Sequence, residues 1–276
     1  MNLRALALSF VFPAMLAGAG AQSYILGINA SSNGGGIYRI QVSGPNIGQT
    51  QLVTSTLFGG QPNGLAYDAA TNTAYYMANN RDLVQHNLTT MAAVVVGKLS
   101  FNTASATWHN GAYYYHQNNG TQLRRVTILG SSIASETTIA TSSTNLGFGD
   151  IASDQSGMAY FSASGNRYLS ADLSNPNPTI NTISTTHGPQ LQLGFSNGIL
   201  YGISADTDEI FQLDTATGNR TRIGILDNRN LSITDAASLP FGNTGVTGDP
   251  VPEPFTMGLA GAALVSALRR RKRSKA

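Results

Sequence analysis

The sequence contains no cysteine, and this absence excludes several classes of protein. Without thiols there is no disulfide framework, no thiol nucleophile and no cysteine-based zinc site. A small secreted animal module usually depends on disulfides, whereas an exported bacterial domain with a large core does not. The chain has 276 residues, which is long enough to bury such a core.

Charge is also scarce, since only 11% of the residues are Asp, Glu, Lys or Arg. The net charge of +2 hides an uneven distribution, because seven cations lie near the two ends. Without these seven and Glu253, the middle keeps 9 basic and 13 acidic residues, a net charge of about −4. An acidic body does not attract the phosphate backbone, so no nucleic-acid partner is expected.

Glycine is abundant, with 30 residues, and Ser, Thr and Asn are frequent, which favours turn-rich β structure over helical bundles. The N-terminus has a different pattern. Arg4 precedes an apolar run over 5–16, and small residues follow in Ala-Gly-Ala order up to position 21. This order predicts a signal peptide over 1–21, so that the mature protein begins near Gln22. A buried N-terminal helix is the alternative.

The C-terminus has three parts in a fixed order. An uncharged run over 255–268 would measure about 21 Å as a helix, shorter than a comfortable membrane span. Before it stands a Pro-Glu-Pro motif, made of Val251, Pro252, Glu253 and Pro254. After it stands a basic cluster, made of Arg269, Arg270, Arg271, Lys272 and Arg273. Because clustered cations resist translocation, we expect the body to be exported while the last segment stalls in the membrane.

These three parts resemble the PEP-CTERM sorting signal of Gram-negative bacteria, over residues 251–276 only. In that family a membrane protease-transpeptidase, exosortase, removes the tail, and the body goes to the envelope surface or the extracellular matrix. The family is typical of bacteria that make exopolysaccharide and biofilm. The resemblance therefore implies exosortase as a processing partner, a transient inner-membrane anchor and exopolysaccharide as a possible partner. An ordinary C-terminal anchor is the alternative. Residues 240–250 are interpreted as a flexible linker.

The part of the chain between the two ends consists of sequence repeats. Five short segments look alike and are separated by 42, 44, 43 and 41 residues. Their middle residues are Ala66, Trp108, Ala152, Phe195 and Ala236. Each of the first four precedes three further strand-like segments, and the N-terminus supplies such a set of three, SYILGIN, GIYRIQV and TQLVTST, without the first.

The missing segment stands at the other end, as LSITDAASL over 231–239. Four strands at a period near 42 predict an all-β, five-bladed β-propeller over 22–239, closed by a C-terminal strand that completes the N-terminal blade. A β-sandwich and a solenoid are the alternatives, but a solenoid needs capping repeats rather than a split one. The repeats loosely resemble bacterial YVTN-like and NHL-like propellers, a likeness that carries no specific activity.

The last position of the repeated segment has two interpretations. It is occupied in turn by Asp68, Asn110, Asp154, Asn197 and Ser238, which as a ring could bind a metal. Each, however, precedes a tight turn, where Asp and Asn cap their own backbone, and we favour that interpretation. The acidic loop at 206–209 lacks the full calcium-loop pattern. We therefore predict no metal and no cofactor.

Loops entering the first strand and loops between the second and third strands should share one propeller face. Their amides, arginines and carboxylates are typical of a surface for sugars or polar polymers. The predicted ligand-face residues are Asn63, Asn80, Arg81, Asn118, Asp150, Arg167, Asp206 and Asp208. Solvated loops without a ligand are the alternative, and the tyrosine-rich second strands are expected to pack between blades.

Three functions remain open. A glycan hydrolase or lyase needs two carboxylates across a central pocket, for which Asp150 and Asp235 are candidates. The body's only glutamates, Glu136 and Glu209, fall on outer strands or loops. We favour a non-catalytic binding or matrix protein on the cell surface or outside the cell, associated with exopolysaccharide. A purely structural matrix component is the third possibility.

Overall fold

The computed structural model describes most of the predicted propeller and neither terminus. The described residues are 22–29, 35–55, 57, 60, 62–79, 81–228 and 231–239. The predicted signal peptide, linker, sorting motif, membrane segment and basic cluster lie outside them, as does Asn80. Among the residues that are described, no helix is long and apolar enough to cross a membrane.

Twenty β-strands make up the described part of the chain. In chain order they are β1 Tyr24–Asn29, β2 Gly36–Gln41, β3 Thr50–Thr54, β4 Asn63–Asp68, β5 Thr73–Ala78, β6 Asp82–Asn87, β7 Ala93–Lys98, β8 Ala106–His109, β9 Ala112–His116, β10 Gln122–Leu129, β11 Ser132–Thr141, β12 Ile151–Ser153, β13 Met158–Ala163, β14 Arg167–Asp172, β15 Asn181–Ser184, β16 Gln192–Ser196, β17 Ile199–Ile203, β18 Glu209–Leu213, β19 Arg220–Ile225 and β20 Ile233–Ala237.

The strands form five antiparallel sheets of four strands each, one per repeat. Blades 2 to 5 are continuous in sequence: β4–β7, β8–β11, β12–β15 and β16–β19. Blade 1 has the order β20-β1-β2-β3, and Leu26 of β1 lies opposite Ala237 of β20. The predicted five-bladed propeller is confirmed, and so is its closure by the last strand. Each sheet then has two edge strands, the outer one at the circumference and the inner one around the ring axis.

Aromatic side chains of the second strands fill the space between blades. Tyr76, Tyr113 and Tyr115 are fully buried. Tyr75 of blade 2 stacks on Trp108 of blade 3, with ring centroids 4.4 Å apart and planes within 4°. Each such ring removes a large apolar area from water, so these contacts hold neighbouring blades together. The prediction that these tyrosines pack between blades is confirmed.

A half-buried ion pair of blade 3 contacts blade 2 nearer the circumference. Glu136 of β11 accepts a hydrogen bond from Arg124 Nε at 2.7 Å and another from the Tyr115 hydroxyl. The backbone N–H of Ser100, which follows β7, also donates to this carboxylate, at 3.1 Å. The prediction of an outer-strand position for Glu136 is confirmed, and its oxygens are occupied by structural partners.

The ring has two faces, which differ in the connections they carry. Loops entering the first strands and loops between second and third strands meet on one face, here called the entry face. Backbone bonds join them there, as from Asn118 N to Asn102 O at 2.9 Å and from His187 N to Asn166 O at 2.8 Å. Turns between first and second strands lie on the opposite face, here called the turn face.

Candidate functional site

A cavity of about 310 Å³ opens at the centre of the turn face, where the inner strands end. All five blades line it, through Tyr67, Trp108, Ser153, Phe195 and Ser238, with further residues from the adjoining turns. We call this cavity the cup. Its size lies at the small end of the range for ligand pockets, and its central position is typical of binding sites at the mouths of closed β structures.

Three aromatic side chains give the cup an apolar lining, and each is held by a neighbour. Trp108 is fixed by its stack on Tyr75. The Tyr67 hydroxyl donates to Asn72 Oδ1 at 2.8 Å, and Phe195 packs against Tyr160 with ring centroids 5.7 Å apart. The lining is therefore preorganised, because none of these rings is free to rotate away.

The polar rim of the cup includes the residues that end the repeated segments, which the sequence predicts to cap tight turns. Asp68 Oδ1 accepts from Ala70 N at 3.0 Å, and Asp154 Oδ1 accepts from Met158 N at 2.9 Å. Asn110 and Asn197 have φ values of 45° and 53°, the left-handed backbone of a tight Asn-Gly turn. Turn capping is thus confirmed for both aspartates, and the asparagines serve the turns through their backbone.

The last member of that set behaves differently. Ser238 Oγ accepts a hydrogen bond from Phe195 N at 3.0 Å and donates to Ser153 O at 3.2 Å. It therefore connects blade 1 to blades 5 and 4 rather than capping a turn. At the same level, the hydroxyls of Thr107 and Ser153 lie 2.8 Å apart and join blades 3 and 4.

The cup carries negative charge. Its rim contains Asp68 and Asp154, whereas no Lys or Arg occurs among the described residues that line it. Burial lowers the pKa of His109, which also lines the cup, and the carboxylates of Asp154 and Asp172 offset only part of this lowering. His109 is therefore neutral at pH 7, and no cation within the cup offsets the charges of Asp68 and Asp154.

A second feature lies deeper, on the ring axis. Asp150, just before β12, and Asp235 of β20 are both 0% exposed and hydrogen-bonded to each other. Their oxygens accept backbone N–H groups from the inner strands of four blades: Leu65, Ile151, Leu193 and Ala236. The Leu193 N–H lies 2.7 Å from Asp150 Oδ2. We call these two residues the axial pair.

The axial pair holds a proton at neutral pH. Burial raises the pKa of Asp150 to about 8, the backbone donors only partly opposing it. Burial, and then the neighbouring charge of Asp150, raise the pKa of Asp235 well above its usual range. Two buried carboxylates in contact cannot both ionise, so the pair shares a proton. Each carboxyl still satisfies backbone donors that would otherwise be unpaired.

Asp150 was predicted as part of the ligand face, and the structure instead buries it. Gly149 allows this, because a Cβ at that position would lie 1.4 Å from the carbonyl oxygen of Ser162 on the neighbouring strand. The close approach of the two backbones turns the following residue inward. Nothing in the spacing of the sequence indicated such an approach.

The remaining described residues of the predicted ligand face lie on the entry face, in loops or at the start of a strand, in blades 2, 3, 4 and 5. Arg81 Nη1 donates to Ser100 O at 2.6 Å, which ties this side chain to the neighbouring loop. Asp206 is exposed, and the others are half-buried: Asn63, Arg81, Asn118, Arg167 and Asp208. A ligand site on this face stays a prediction.

The cup was not predicted from the sequence, because the predicted ligand residues belong to the entry face. Tyr67, His109, Trp108 and Phe195 belong to the repeated segments that defined the blades, so the signal was present. Those segments form the innermost strands, whose ends surround the axis in any propeller. The side chains next to each turn were therefore the residues to inspect.

No protein-family model matches the chain, and no curated protein matches it. Among solved structures, 1076 chains match, and a fold shared so widely does not specify an activity. One is a chain from the crystal structure of a nidogen/laminin complex, with a TM-score of 0.51 and 13% identity over 78% of this chain and 84% of that chain. At this identity the likeness concerns the fold alone.

Proposed function

We propose that this protein is exported and acts on the cell surface or in the extracellular matrix as a non-catalytic propeller that binds exopolysaccharide. The cup is the observation that carries the proposal. It is concave, all five blades line it, and aromatic rings lie beside carboxylates and amides. Pyranose rings have apolar faces and a hydroxyl edge, and a site of this composition suits both.

The fold likeness fits a binding role. The matched chain belongs to a structure of a nidogen/laminin complex, so a ring of this shape occurs there in an assembly of two proteins. A rigid ring can also bind a ligand without a conformational change. The closure of blade 1 by β20 supplies that rigidity, since both chain ends are held in one sheet.

The geometry of the carboxylates argues against hydrolysis by the predicted pair. Glycosidases place their two carboxyl groups about 5 to 9.5 Å apart with the sugar between them. Asp150 and Asp235 are in hydrogen-bond contact and have no exposed surface. A sugar cannot enter between them without breaking the bonds that join four blades.

The binding proposal is tested by the fluorescence of Trp108, the only tryptophan of the chain. Purified protein from cells expressing the whole chain is titrated with neutral and charged polysaccharides and their oligomers. We expect a saturable change in emission and glycans that keep their length on prolonged incubation. Shortened products would favour a hydrolase or lyase, and absence of both signals would favour a purely structural matrix role.

The sorting proposal rests on the resemblance of residues 251–276 and needs its own test. A tagged chain is expressed with and without these residues, in cells that contain or lack exosortase. We expect surface or extracellular protein of reduced mass only when both the tail and the enzyme are present. Retention of the full-length chain in the inner membrane of both strains would instead indicate an ordinary anchor.

A further inference from the structure

We infer that the cup selects sugars that carry a free, protonated amino group over their N-acetylated counterparts. This inference rests on the proposed function, because it names the class of glycan that the same cavity takes. An amino sugar combines an apolar ring face, hydroxyl groups and one positive charge. The cup offers a partner for each of these three features.

The charge of the cup decides between cationic, neutral and anionic ligands. Asp68 and Asp154 face the cavity and no Lys or Arg among the described residues does. Both aspartates are only half-exposed, so water screens their charges less than on an open surface. An anionic glycan would meet uncompensated repulsion here, whereas an ammonium group would be attracted.

The carboxylates keep acceptor capacity after they have capped their turns. Both hydrogen bonds that Asp154 accepts, from Ser156 Oγ at 2.7 Å and Met158 N at 2.9 Å, fall on Oδ1. Its Oδ2 accepts none from the described residues. Each oxygen of Asp68 accepts one bond, from Ala70 N or Thr71 Oγ1, and can accept a second. An ammonium group supplies three donors for these positions.

A lysine side chain of a peptide would bring the same charge, but the rest of the cup suits a sugar better. Asn110 and Gln155 line the cup and are exposed, so their amides can bond to hydroxyl groups of a sugar. A lysine has no hydroxyl groups and would leave these groups unused. A cavity of about 310 Å³ also matches one or two sugar rings more closely than a folded peptide surface.

The test compares glucosamine oligomers with N-acetylglucosamine oligomers of the same length, followed by Trp108 fluorescence at low and high salt. We expect the free-amine form to bind more tightly at pH 6, with a preference that weakens as salt rises. Asp68→Asn and Asp154→Asn keep the turn caps and remove the charge. Each should weaken binding of the free-amine form about fivefold and leave the N-acetylated form unchanged.

Asp214→Asn is the matched control. Asp214 caps an exposed turn on the same face, accepting from Ala216 N at 2.8 Å, and does not line the cup. It should leave both affinities unchanged. Equal binding of the two oligomers, unaltered by the cup variants, would overturn amine selectivity while leaving glycan binding intact. Binding of lysine-rich peptide but of neither oligomer would overturn both.

Discussion

Four aspartates on or next to the inner strands have opposite environments at two levels of the ring. Asp150 and Asp235 lie on the axis, fully buried, and accept backbone N–H groups from four blades. Asp68 and Asp154 lie at the turn face, half-exposed, and cap only their own turns. The same side chain thus holds blades together at one level and offers charge to a ligand at the other. Burial and the number of backbone donors decide which of these two roles an aspartate has.

The largest expected effect is the loss of a member of the axial pair. Asp235→Ala leaves the Leu65 N–H unpaired in the interior and removes the bond between blades 1 and 2. We expect the free energy of unfolding to fall by about 3 kcal/mol, measured by urea denaturation. Asp154→Ala is the comparison at the turn face and should lower the free energy of unfolding by about 1 kcal/mol. Equal costs would mean that the axial pair has no special role in closure.

The second prediction concerns pH. The pKa of Asp150 is about 8 in the folded protein and 3.8 without perturbation, so the folded state binds more protons between these values. The stabilisation from this proton is complete below pH 3.8 and is lost as pH rises through 8. Between pH 5 and pH 7 it should fall by about 3 kcal/mol.

The double variant Asp150→Asn/Asp235→Asn should flatten this part of the curve, because neither amide can titrate, whereas a single variant leaves one buried carboxyl group that can hold the proton. The measurement is the free energy of unfolding of both proteins from pH 4 to pH 8, and the difference isolates the pair from other groups. Parallel curves for the two proteins would show that the axial pair carries no extra proton.

The smallest effect is expected at the turn face, where charge and turn capping can be separated. Asp68→Ala removes the acceptor for Ala70 N and should lower the free energy of unfolding by about 1 kcal/mol. Asp68→Asn keeps an acceptor and should change it by less than about 0.5 kcal/mol. Thermal unfolding of the two variants checks this order. If Asn costs as much as Ala, the charge itself stabilises the turn.

Much of the cup could have been anticipated from the repeats, and the axial pair could not. The turn residues were identified from their position before Gly-containing turns, a local pattern that depends on backbone geometry alone. Trp108 and Phe195 were identified as members of the repeated segments, but the ligand site was predicted on the entry face rather than on the turn face. The inward position of Asp150, by contrast, depends on the contact of Gly149 with the backbone of Ser162.

The amino-acid sequence by itself determined the number of blades, their strand order and the closure of the ring by β20. These properties follow from the period of the repeats and from one split repeat, and both can be counted along the chain. Only the tertiary structure decided which side chains meet at the axis and which line the cup. Asp150 Oδ2 and the N–H of Ala236 are 86 positions apart in sequence. Their meeting depends on how closely the blades approach, which is a property of packing and not of sequence spacing.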